Sequence, residues 1–291
     1  MKIPSIKITY DLNKEVDLFL KFLHHHYYPQ HKFIIFKSFP ELEILLKTEK
    51  NKNKEKTIIK EFIKDFYKKN DKKIKKIIVQ SKKILKEKEK KALIKLAKLM
   101  DYQWPKNHPD YTAMPTILPF SPFGNNVFYF SILEQIKRKG GRDILFIAIH
   151  EISHFILFNF LKKLKRKKVP EDFKNYFKET LTAVLLNQKP LNKILKLKNY
   201  QGNPEIRDLQ IKKSDGVIIS FTEFINEYYQ IIKIKNKKTF KTFLQEILNI
   251  LLPINKDFSK KRAVWNRYGN QLYKKPHILL KYQKPIQIKK R

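Results

Sequence analysis

Residues 144–161, ILFIAIHEISHFILFNFL, constrain this chain more than any other stretch. No glycine or proline interrupts the run, and its apolar side chains cover every side of a helix. Such a helix has to be buried, in a protein core or in a bilayer. Yet His150, Glu151, Ser153 and His154 stand in its middle. A neutral polar group buried without a partner costs on the order of 2–7 kcal/mol, and a charge costs more. Something must compensate these groups.

The spacing offers an answer. His150 and His154 are four residues apart, so on a helix they project from one face, a turn apart. Both imidazoles can then meet one metal ion. Glu151 lies about 100° round the helix, within reach of a ligand of that ion without being a ligand itself. Zinc suits the arrangement, because three protein ligands leave a position for a water whose pKa falls towards ~7. Glu151 is then the general base. The competing explanation is a pair of core histidines satisfied by ordinary hydrogen bonds.

Residues 146–158 resemble the active-site helix of the zincin metallopeptidases. Metzincins continue with a glycine and a third histidine, where this chain has Leu157 and Phe160. Gluzincins instead take a glutamate from a second helix, and KETLTAVLLN supplies Glu179. The resemblance implies a zinc ion held by His150, His154 and Glu179, and a peptide or protein substrate. Glu179 also has a case of its own, since its same-face neighbours are Tyr176, Thr182, Ala183 and Leu186 instead of lysines. The small Thr182 and Ala183 would let the two helices approach closely. Glu171 and Asp172 are alternatives, more simply read as first-turn charges that favour the helix dipole. The resemblance further implies a substrate-binding edge strand, PTILPF or NVFYFSIL, and an oxyanion donor among Tyr228, Tyr229, Arg207 and His277.

The formal charge is +37, but only seven of the 64 basic residues are arginine. Arginine is the usual base-reading residue, so a mostly solvated lysine surface is favoured over a dedicated nucleic-acid or anionic-surface site. That contact, through the Lys-rich helices, stays open as a second partner class. It supports an alternative function: a basic binding protein with a regulatory or degenerate zincin core. The absence of cysteine excludes disulfides and thiol nucleophiles and suits a reducing, cytoplasmic setting. MKIPSIKITYDLNKE lacks the apolar core of a secretory signal. No second stretch matches 144–161 in length and apolarity, so an intramembrane protease with several spans is not expected.

The pattern along the chain predicts an α+β, zincin-like fold, mostly helical with a small N-terminal and edge-strand sheet. Residues 1–100 read as strand, helix and strand (KFIIF, 32–36), then a Lys-rich helical hairpin of 56–69 and 72–99. Ser38 and Glu41 form a capping-box signature ahead of a helix near 39, and NKNKEK reads as a solvated loop or frayed turn. His24-His25-His26 reads as a helix end. Residues 101–255 form the catalytic core. There PTILPF and NVFYFSIL are expected to pair as a hairpin, and Ser220 with Glu223 caps another helix. Residues 256–291 are a basic, irregular tail.

Overall fold

The computed structural model describes residues 2–25, 30–137, 142–164, 169–268 and 284–288. The chain is mostly helical with small sheets, an α+β composition. It divides into two compact units. Of the described residues, those within 2–90 and 106–151 form one and those within 91–105 and 152–288 the other, so two long helices contribute to both.

The first unit opens with β1 (Ile6–Ile8) and α1 (Leu12–Leu23), followed by α2 (Gln30–Ser38) and α3 (Pro40–Leu46). Asp11 caps α1 by accepting from the Asn13 and Lys14 amides. His24 is its C-terminal cap, as the helix-end reading requires, and its ring lies 2.8 Å from Glu55; His26 lies outside the described residues. KFIIF is part of α2 and not a strand. Its one deeply buried side chain is Ile35, while Phe33 is exposed, a helical pattern that five apolar residues in a row conceal. Ser38 ends α2 instead of capping α3, whose first position is Pro40.

The expected helical hairpin is a single 48-residue helix, α4 (Lys52–Leu99), and NKNKEK runs into its first turn. No glycine or proline falls between 52 and 99. Buried Ile59, Ile63, Ile74, Ile77, Ser81, Leu85, Leu93 and Leu96 continue one stripe through the supposed break. Asn70 sits on that stripe and donates to the Phe66 carbonyl at 2.9 Å, remaining helical.

A four-stranded sheet follows, built from β2 (Tyr111–Thr116), β3 (Phe123–Gly124) and β4 (Val127–Ser131) with β1, in the order β1-β2-β4-β3. β2 and β4 are parallel, so the anticipated hairpin between them does not form. The hairpin joins β3 to β4. It turns at Asn125 and Asn126, both at positive φ (47° and 60°), the conformation of a type I′ turn that asparagine tolerates. Of PTILPF only Pro115 and Thr116 lie in β2, paired with Phe130 and Ser131 of β4, and NVFYFSIL supplies the interior strand β4. β4 is covered by the 121–124 segment, where the Tyr129 amide donates to Pro122 O at 2.8 Å and the Ser131 amide to Ser121 Oγ at 3.1 Å. The edges are β1 and β3.

After α5 (Leu133–Lys137) comes α6 (Ile144–Lys163), the apolar helix. Asp143 caps it, accepting from the Phe146 amide at 2.8 Å. α6 is long and apolar enough to cross a membrane, and 72% of its most apolar window is buried inside the protein.

The second unit contains α7 (Glu171–Asn187), α8 (Lys189–Leu195) and α9 (Pro204–Arg207). Beyond them lie β5 (Gln210–Lys212), β6 (Ile218–Ser220), α10 (Phe221–Tyr229) with a π-helical extension to Lys235, and α11 (Phe240–Leu251). Ser220 caps α10 as anticipated, accepting from the Glu223 amide at 3.0 Å. The tail is more ordered than its composition indicates. Residues 255–268 form α12 (Asn255–Tyr268), packed on α7 through Phe258, and β7 (Ile286–Gln287) joins β5 in a second sheet of order β6-β5-β7.

Candidate metal centre

α6 is apolar on nearly every side, with Ile144, Leu145, Ala148, Ile149, Ile152, Ile156 and Leu157 all essentially inaccessible to solvent. Among them His150 (7% exposed), Glu151 (4%) and His154 (1%) are as buried as the aliphatic residues. Their ligand-type atoms all lie within 4.8 Å of one another, and they form the one such group of histidine and carboxylate among the described residues. Helix geometry accounts for this: residues i and i+4 stack on one face, and residue i+1 flanks them. His150 Nε2 is 4.0 Å from Glu151 Oε1. The His150 ring stands above Phe146, which itself carries the Arg142 guanidinium 4.6 Å from its centroid.

Two nitrogen donors and a carboxylate, buried together in apolar surroundings, are chemically suited to a dication. Neutral imidazole binds such an ion without adding charge, and the ion offsets the cost of burying the carboxylate.

α7 runs alongside the C-terminal part of α6. Ser153 Oγ and Thr182 Oγ1 are 2.6 Å apart, a buried hydroxyl pair made possible by two small side chains. Glu179 Oε1 lies 3.8 Å from His154 Nε2 and 2.8 Å from Lys178 Nζ. Glu179 therefore neighbours one histidine but stands outside the compact trio. Glu171 is exposed and pairs with Lys174. Asp172 faces Arg262 at 4.0 Å. Both alternatives are engaged at the first turn of α7.

Sequence reasoning missed the buried pair Arg262–Glu205, with Arg262 Nη1 2.8 Å from Glu205 Oε2. The Arg262 guanidinium also lies 5.1 Å from the Tyr176 ring centroid. Burial pushes the Glu205 carboxyl above its ordinary range; Arg262 and the Tyr176 hydroxyl oppose this, and the Glu179 carboxylate adds to it. Glu205 is thus electrostatically linked to Glu179. The signal was in GNPE: Gly202 at φ 81°, Asn203 accepting from the Ile206 amide as N-cap, and Pro204 opening α9. Three residues in a row fix the backbone that carries Glu205.

The proposed oxyanion donors do not gather here. Tyr229 is buried and donates to Leu99 O at 2.9 Å, and Tyr228 packs on Phe224. Arg207 pairs with Asp208 and lines a separate cavity of about 590 Å³ between α7 and α10. His277 lies outside the described residues, as does most of the basic run after α6. Comparison of the chain with protein-family models, with curated proteins and with solved structures finds no match.

Proposed function

We propose that this chain is a zinc-dependent metallopeptidase of gluzincin type, acting on peptide bonds in the cytoplasm. The observation that carries the reading is the buried group of His150, Glu151 and His154 on one apolar helix, with ligand atoms within 4.8 Å of one another. A metal-binding role alone would need two imidazoles and any third donor. A glutamate directly after the first histidine, buried beside it, is what hydrolysis adds.

In this reading His150 and His154 hold the ion through neutral imidazole, and Glu179 supplies the third ligand from α7. When bound, zinc polarises a peptide carbonyl and makes water a nucleophile near neutral pH. Glu151 takes the proton from the attacking water and delivers it to the departing amine. The apolar walls of α6 exclude bulk water and strengthen each of these interactions. The buried Arg262–Glu205 pair is close enough for the Glu179 carboxylate to be felt at Glu205 electrostatically.

The test is peptide hydrolysis by the zinc-loaded protein, measured on a mixed peptide library by mass spectrometry. Glu151→Gln is nearly isosteric, so it should keep zinc and fold while hydrolysis falls by about 10²–10⁴ or more. Undiminished turnover in that variant would remove Glu151 as the base.

A further inference from the structure

We propose that the solvent face of α4 between Lys68 and Lys86 binds double-stranded nucleic acid through its phosphates, without reading sequence. This inference is independent of the metallopeptidase reading.

The face has an order that composition does not explain. Lys-Lys pairs recur every seven residues, at 68–69, 75–76 and 82–83, with Lys72, Lys73 and Lys86 between and beyond them. A seven-residue interval returns a side chain to nearly the same face of a helix, about 10.5 Å further along. All these lysines are exposed, whereas Ile74, Ile77, Ser81 and Leu85 are buried on the opposite side. Nine lysines meet a single acid, Asp71, which pairs with Lys75 at 2.9 Å. Nearer the start of α4 acids are more frequent and two of the lysines are paired, Lys56 with Asp17 at 2.7 Å and Lys64 with Glu61 at 2.8 Å. Lys68, Lys69, Lys72, Lys76, Lys82, Lys83 and Lys86 have no such partner among the described residues.

Like charges at i,i+3 and i,i+4 repel, and this segment holds several such pairs: Lys68–Lys72, Lys72–Lys76, Lys69–Lys73 and Lys82–Lys86. A polyanion lying along the helix removes that repulsion and releases its own condensed counterions. The segment is a rod about 27 Å long, roughly eight base pairs of duplex. Its chemistry selects among polyanions. Single-strand binding needs exposed aromatic side chains for base stacking, and this face carries none. Insertion at a bilayer surface needs an apolar edge, and the one exposed apolar side chain here is Val79. Arginine, which reads bases and grips phosphate bidentately, is absent from α4, so contact is by point charges alone.

The experiment is fluorescence anisotropy with a labelled 20-base-pair DNA duplex over a range of salt concentrations. It uses the full chain and two quadruple variants. In the first, Lys69, Lys72, Lys76 and Lys83 become glutamine, a comparable helix former. In the second, exposed Lys189, Lys193, Lys235 and Lys241 are changed in the same way. The proposal expects the first variant to bind at least about 30-fold more weakly near 0.15 M salt. Its log–log salt slope should be shallower by about 3–4. The second variant should lose less than about threefold. Equal losses in both variants would mean the charge is merely compositional and would overturn the proposal. So would absent duplex binding, tighter binding to a single-stranded oligonucleotide, or a preference for phosphatidylserine vesicles.

Discussion

Ser153 and Thr182 hold their hydroxyl oxygens 2.6 Å apart where α6 meets α7, one residue from His154 and three from Glu179. Each is almost wholly buried, and Ser153 is the hydrogen-bond partner of the Thr182 hydroxyl. Ser153→Ala should therefore cost about 1–3 kcal/mol, because the Thr182 hydroxyl is left unsatisfied. Ser153→Ala with Thr182→Val should cost less than the sum of the single changes. A double-mutant cycle in urea unfolding measures the coupling. A coupling near zero would mean that the pair does not join the helices.

The ion pair between Arg262 and Glu205 gives a contrasting prediction. Breaking a buried pair strands one charge, so Arg262→Met should destabilise by about 3–5 kcal/mol. Replacing both partners with apolar residues of similar volume, as in Glu205→Leu with Arg262→Met, should recover most of that loss. Zinc affinity of the folded double variant should still fall, since Glu205 acts on Glu179. Native affinity at native stability would show the pair to be structural only.

Glu15 predicts a pH dependence. Its carboxylate is buried in the first unit and accepts from Thr116 Oγ1 at 3.1 Å and the Ile117 amide at 2.8 Å. Burial outweighs these hydrogen bonds and pushes its pKa up to about 7, against an ordinary value of 4.5. Between these values the folded state holds the proton more tightly than the unfolded state. The Glu15 contribution to stability is thus fully present below about pH 4.5, declines as pH rises, and is lost above about 7. Glu15→Gln, which keeps the acceptor, should be more stable than the parent at pH 8. The gain should be on the order of 3 kcal/mol and shrink towards zero near pH 4.5. A stability difference independent of pH would contradict this.

The long helix was the least legible part of the fold. Lys-Asn-Asp-Lys at 69–72 has the polarity of a turn, and polarity alone does not distinguish a turn from a solvated helix face. What decided the outcome was the buried stripe continuing at Ile74 and Ile77, together with the absence of glycine and proline. KFIIF failed for a related reason, since a short apolar run has no period to measure. The parallel pairing of β2 with β4 was hidden because it depends on a crossover, whereas the real hairpin signal was the two asparagines at 125 and 126. By contrast α6, α7 and the trio on α6 were readable, because a helical spacing of one and four residues is itself a distance. Glu205 was not readable from spacing, since its partner Arg262 lies 57 residues further along the chain and meets it only through tertiary packing.

The continuity of α4 has its own test. Asn70→Pro within a helix should cost about 3 kcal/mol or more, whereas in a turn between two helices it would cost far less. Thermal unfolding of this one variant distinguishes the two arrangements.

The central claim is that His150 and His154 are metal ligands, and zinc content by mass spectrometry tests it most directly. After exposure to zinc and removal of excess, the full chain should carry close to one ion per molecule. His150→Ala and His154→Ala should each lose it while circular dichroism still reports a helical protein. Glu179→Ala should retain it only weakly. Occupancy should also fall in acid, because protonated imidazole does not ligate. A chain that takes up no zinc, or single-histidine variants that keep a full complement, would contradict the account.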